Sequence, residues 1–114
     1  MQTNGRDPLE IDVQSSEERT LVTVSGELDA STASFLYDKL SDLEVQDPHN
    51  VVLDLAKVTF MDSTGLAIIV TEHKRMQHSN GRLTIFSPPS SVRRLFEITG
   101  LTTVLDIVPA TEER

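Results

Sequence analysis

The sequence predicts an α/β fold: one domain with a mixed β-sheet of four to five strands packed with about four helices. Three observations predict it. The chain has 114 residues, the size of a single domain. Two short apolar segments close together near the start have the pattern of a β-hairpin. Beyond them, apolar runs of strand length alternate with stretches of helical spacing, which argues for helices crossing between parallel strands.

The elements follow in order. Residues 1–8 are expected to form a flexible lead, 9–110 the folded domain and 111–114 a charged tail. Leu9, Ile11 and Val13 alternate with Glu10, Asp12 and Gln14, as in a half-buried strand. Ser15-Ser16-Glu17-Glu18 reads as a turn, and Leu21, Val22 and Val24 as the hairpin partner. Gly26 is expected to end that strand, and Asp29-Ala30-Ser31-Thr32 to supply the cap of a helix. Leu36, Leu40 and Leu43 recur at helical spacing with Phe35 alongside, which gives one apolar face. Asp47-Pro48-His49-Asn50 ends that element.

Val51 to Leu55 is nearly all apolar, as a central strand covered on both faces requires. A short loop and Asp62-Ser63-Thr64-Gly65 follow. The next helix carries Leu66, Ile68, Ile69 and Val70, and turns polar at Glu72, Lys74 and Arg75. Asn80-Gly81 marks a turn before the strand Leu83-Thr84-Ile85-Phe86. After the stop at Ser87-Pro88-Pro89, a helix places Val92, Leu95, Phe96 and Ile98 inward, with solvated Arg93 and Arg94 and with Gly100 as its C-terminal cap. Val104 to Val108 reads as the last strand.

Composition excludes several functions. Only 4% of residues are aromatic, so aliphatic side chains must fill the core. There is no cysteine, which removes disulfides, thiolate metal sites and cysteine catalysis. No run of about 18 apolar residues suits a membrane span, and the first eight residues carry no apolar signal-peptide core. A cytoplasmic location fits. The net charge of −8 repels nucleic acid, and Lys74, Arg75, Arg93 and Arg94 are too few to make a phosphate-tracking groove.

Catalysis has no support either. Ser63 needs a base within hydrogen-bond reach to act as a nucleophile. His73 stands ten residues on in the same helix, roughly 15 Å away. His78 is farther, and His49 precedes the strand at its opposite end. The histidines have no carboxylate at metal-ligand spacing, so no metal site is expected. Asp54 lies mid-strand without the acidic pair that a phospho-accepting aspartate uses to hold Mg²⁺. No Gly-rich phosphate loop is present, and no cofactor is expected.

The segment that stands out is Asp62-Ser63-Thr64-Gly65, where a strand feeds a helix through very few residues. The simplest reading is capping, because Asp, Ser and Thr are preferred at helix starts. The sharper reading is a serine that gains and loses phosphate, since a helix N-terminus tolerates added negative charge.

Three blocks resemble the STAS domain family, and within it the bacterial anti-sigma factor antagonists. They are Gly26-Glu27-Leu28-Asp29 with Thr32; Val52-Leu53-Asp54-Leu55 through Phe60-Met61-Asp62-Ser63-Thr64-Gly65-Leu66; and Val92-Arg93-Arg94-Leu95-Phe96 through Thr99-Gly100-Leu101. They cover most of the chain in the family's order and spacing. One departure is Ala67, where many relatives carry a second glycine.

The resemblance implies a single STAS domain acting as a phosphorylation-gated switch and not as an enzyme. Unphosphorylated, it would bind an anti-sigma factor that is itself a serine kinase, and so free a sigma factor. The kinase would phosphorylate Ser63, and a phosphatase would reset it. The surface that meets the kinase would comprise Glu27, Asp29, Asp62, Ser63, Thr64 and Gly65. The alternatives within the family are a STAS scaffold subunit of a signalling assembly and an accessory of a membrane transporter.

Overall fold

The structure, a computed structural model, describes residues 9–46 and 48–110. The expectations for residues 1–8, for Asp47 and for residues 111–114 fall outside these. Among the described residues the chain runs β1 (Leu9–Ser15), β2 (Thr20–Leu28), α1 (Ala33–Glu44), β3 (Asn50–Met61), α2 (Ser63–His78), β4 (Arg82–Phe86), α3 (Ser90–Ile98), a 3₁₀ turn (Leu101–Thr103) and β5 (Asp106–Val108).

The five strands form one sheet in the order β1-β2-β3-β4-β5. β1 and β2 pair antiparallel as the expected hairpin, and every later pair is parallel. The sheet is therefore mixed, as the patterning requires. The helix number is three rather than about four. Gly100 adopts a left-handed conformation (φ 79°) that ends α3, and the following Leu101–Thr103 closes only one tight turn before Leu105 enters the core.

Both strands that lead to the site are longer than expected. β2 runs through Gly26, which takes φ 109°, and on to Leu28. Glycine absorbs this backbone irregularity without ending the strand. β3 does not give way to a loop after Leu55 but continues to Met61, because it pairs with β2 along its whole length. Two bulges accommodate the polar residues that hide its periodicity. Between the pairs Thr23–Asp54 and Ser25–Lys57, and again between Gly26–Val58 and Glu27–Phe60, β3 contains one residue more than β2.

The core lies between the sheet and its helices. Val22, Val24, Leu28, Leu36, Leu40, Leu53, Leu55, Ile69, Ile85 and Phe96 are fully enclosed or nearly so. Each such side chain contributes about 1.5–3 kcal/mol of hydrophobic stabilisation. Two inward expectations fail, and the last strand starts later than expected. Phe35 is exposed because it stands one residue off the Leu36–Leu40–Leu43 stripe. Ile98 is exposed at the last residue of α3, outside the Val92–Phe96 stripe. Val104 is exposed in the turn before β5, which starts only at Asp106. Glu72, expected on the polar part of α2, is buried because it follows Ile69 by three residues on the inward face.

The topology brings the carboxyl ends of β2 and β3 side by side, with Leu28 opposite Met61. From one end the chain turns into α1, and from the other into α2. This is the side of an open α/β sheet where binding sites gather.

Candidate functional site

Asp62 alone separates β3 from α2. It is the N-cap of α2 in extended conformation, and its Oδ1 accepts hydrogen bonds from Thr64 N–H (2.9 Å) and Gly65 N–H (3.1 Å). This satisfies two of the backbone donors that a helix start leaves unpaired. The capping reading of the sequence is therefore correct for Asp62. The same carboxylate does more. Its Oδ2 accepts from Ala30 N–H at 3.3 Å, and the Asp62 N–H donates to the Leu28 carbonyl at 3.3 Å. One aspartate thus ties the α2 N-terminus to the end of β2 and to the turn after it.

That turn is built by Asp29 and Thr32, though not as a helix cap. Thr32 occupies the N-cap position of α1, but its hydroxyl makes no capping bond. It donates instead to the Glu27 carbonyl (2.7 Å) and accepts from Asp29 N–H (3.0 Å), while nearly fully buried. Asp29 Oδ1 accepts from the Ser31 N–H (2.9 Å) and the Ser31 hydroxyl (2.8 Å). The Ser31 hydroxyl bond is the main reason that its carboxyl titrates below the ordinary aspartate value; slight desolvation opposes it, and Thr32 adds a smaller contribution in the same direction. Asp29 thus remains a carboxylate at neutral pH.

Ser63 and Thr64 are both exposed on the first turn of α2. Among the described residues neither hydroxyl makes a hydrogen bond. Asp62 has taken the nearby N–H groups, so the serine side chain is left to solvent. Gly65 is buried. A Cβ there would lie 2.6 Å from the Leu28 carbonyl oxygen and 2.7 Å from Leu28 Cγ, so only glycine lets α2 start this close to β2. Gly65 is thus enclosed against Leu28, beneath exposed Ser63 and Thr64. Ala67, the departure from the family pattern, is exposed and meets no such constraint.

The register places Glu27, exposed, opposite Phe60. The expected residues thus gather at one end of the sheet: Glu27 and Asp29 from the β2 end, Asp62, Ser63 and Thr64 from the β3–α2 junction. Two features escaped the sequence. The Ala30–Asp62 bond joins residues 32 apart through a backbone donor, which leaves no compositional trace. The exposure of Phe60 follows from a bulge, which only the strand pairing reveals.

The helix α2 is continuous from Ser63 to His78, so His73 stays roughly 15 Å along the axis from Ser63. Among the described residues no three His, Asp or Glu side chains gather to hold a metal ion. Among them also, no helix is long and apolar enough to cross a membrane. Asp54 accepts from Ala56 N–H (3.0 Å) within β3. Arg93 and Arg94 are exposed on α3, where Arg93 meets Glu97 at 3.6 Å.

Comparison with known proteins agrees with this architecture. The model of the STAS domain matches residues 10–114. The chain is 36% identical over 86 residues to the anti-sigma-B factor antagonist of Listeria monocytogenes, covering 75% of each chain. It is 34% identical over 104 residues to the anti-sigma-B factor antagonist of Bacillus subtilis, covering 91% of this chain and 94% of that one. In structure it is similar to an anti-sigma factor antagonist from Mycobacterium paratuberculosis, with a TM-score of 0.82 and 26% identity over 90% of this chain and 86% of that one. The chain belongs to the STAS domain family.

Proposed function

We propose that this chain is an anti-sigma factor antagonist whose binding is switched by phosphorylation of Ser63. The unphosphorylated form binds an anti-sigma factor that is also a serine kinase, and so releases a sigma factor. The kinase uses ATP to phosphorylate Ser63, and a phosphatase restores the serine. The chain works in the cytoplasm, by binding rather than by catalysis, and needs no cofactor of its own.

The observation that carries this reading is the state of Ser63. It is exposed at a helix N-terminus, its hydroxyl free of hydrogen bonds among the described residues, while Asp62 keeps the helix start in order. A kinase can reach such a hydroxyl without unfolding anything. The names of the similar proteins supply the partner class.

The physical logic is local. A phosphoryl group adds about −1.5 to −2 charges and three acceptor oxygens. It would stand beside the carboxylates of Asp62 and Asp29, on a surface that must fit a partner closely. The fold tolerates the charge because of the helix dipole, whereas docking is hindered by its bulk, its hydration and its repulsion from acidic groups. Glu27, Asp29, Asp62, Ser63 and Thr64 form the contact surface, and Gly65 underlies it.

Incubation with the cognate kinase and ATP tests the assignment. Fragment ions of the resulting phosphopeptide should place the group on Ser63. Consistent placement on Thr64 would transfer the switch to the neighbouring hydroxyl and refute the assignment.

A further inference from the structure

We infer that Phe60 is the apolar anchor by which the anti-sigma factor kinase grips this surface, inserted into an apolar pocket of that partner. The inference rests on the proposed function and adds to it the residue that supplies grip, as distinct from the residue that supplies the switch.

The bulge at Thr59 is the first ground. β3 pairs with β2 through Gly26–Val58 and then through Glu27–Phe60, skipping Thr59. Without that extra residue, Phe60 would fall opposite Leu28, which is fully buried. A slip of one residue exchanges the two faces of a strand. The bulge therefore delivers Met61 to the core position opposite Leu28 and turns Phe60 out beside exposed Glu27. Bulges recur next to functional sites because they re-aim a side chain in this way.

Position is the second ground. Phe60 is 49% exposed in a chain with four phenylalanines, one of which, Phe96, is fully buried. It stands two residues before Asp62 and three before Ser63, and its register neighbour Glu27 belongs to the proposed contact surface. Exposed Glu27 stands beside it in register, and Asp29 and Asp62 follow just beyond the ends of the same two strands. Large aromatic side chains among polar neighbours dominate the binding energy of protein interfaces. Lys57, also exposed, adds a positive charge on the same strand. An apolar pocket on the partner is the chemistry that matches the ring, and the partner's contact with the ring places it over Ser63.

Calorimetry with the full chain and the purified anti-sigma factor kinase of the same organism tests the inference. Phe60→Ala should weaken binding by roughly thirtyfold, and Phe60→Leu by less. Both should melt within a few degrees of wild type, because an exposed side chain supports little of the fold. Ser63→Glu, measured alongside, separates the two readings. Phe60→Ala binding within twofold of wild type, with Ser63→Glu strongly impaired, overturns the anchor and leaves the switch standing. Wild-type binding by both variants overturns the proposed function itself. The chain has no tryptophan, so Phe60→Trp provides a second reading that does not depend on a truncated side chain. Its emission should shift to the blue when the kinase is added, and an unshifted difference spectrum overturns the anchor.

Discussion

At its first turn, α2 presents exposed Ser63 and Thr64 hydroxyls while Asp62 holds the backbone N–H groups of Thr64 and Gly65. About two and a half turns on, the same helix buries Glu72, only 4% exposed, against Arg75. Arg75 also donates to Glu44 Oε1 (3.1 Å) and to the Leu40 carbonyl (2.9 Å), which clamps α2 to the last turns of α1. At one end, the Ser63 and Thr64 hydroxyls are kept out of the fold's hydrogen bonds and face solvent. At the other they are consumed by the fold. The difference teaches how one helix can expose hydroxyls at its start without losing its seat: it is held to α1 from its other half.

Breaking the clamp should have the largest effect on stability. Arg75→Ala leaves the Glu72 carboxyl buried without its cation and the Leu40 carbonyl without its donor. A loss of about 3 kcal/mol is expected by urea unfolding. Partner affinity of the folded fraction should stay at the wild-type value. A variant that loses affinity but not stability would reverse the roles assigned to the two ends.

Gly65→Ala should come next, at about 2 kcal/mol, since its methyl would overlap both backbone and side chain of Leu28. Neither atom is the free end of a flexible chain, so α2 or β2 must shift. A melting temperature equal to wild type would mean that the junction is looser than the 2.6 Å approach implies.

Ser63→Ala sharpens the contrast from the other side. Its stability should change by less than about 0.5 kcal/mol, because the hydroxyl bonds to nothing among the described residues. The variant should bind the kinase and resist phosphorylation.

The smallest effect is in pH dependence. Burial pushes the Glu72 carboxyl above the ordinary glutamate value; Arg75 pulls it back, and Glu44 adds to the rise. A raised carboxyl favours the folded state when protonated. Its contribution is full below the ordinary value and is lost as pH rises through the raised one. The stability of wild type relative to Glu72→Gln should therefore grow as pH falls from neutrality toward about 4.3. Asp29, held low, has the opposite sign: its contribution is full above the ordinary aspartate value and fades as pH falls through its lowered one. Urea unfolding curves at several pH values, for wild type and Glu72→Gln, measure the difference.

Much of this architecture could be read in the sequence. The alternation in β1, the spacing of Leu36, Leu40 and Leu43, the apolar start of β3 and the turn at Asn80-Gly81 all carry local signals. The position of Ser63 at a helix start was equally legible, because strand, aspartate and helix adjoin in the chain. What failed was non-local. The second half of β3 looks like a loop because Lys57 and Thr59 interrupt its periodicity, and only pairing with β2 reveals two bulges. Thr32 looks like a cap, yet its hydroxyl is spent on Glu27 and Asp29. Glu72 looks like surface until Arg75 and Glu44 are seen around it.

The affinity of the kinase for the two forms of one protein tests the central claim most directly. Phosphorylated and unphosphorylated chains, purified apart and checked for identical far-ultraviolet spectra, would be titrated against the same anti-sigma factor. A loss of about 3 kcal/mol, a fall of more than about a hundredfold, is predicted for the phosphorylated form. Equal affinity of the two forms would contradict the account, since a phosphate on exposed Ser63 would then stand outside the surface that the partner covers.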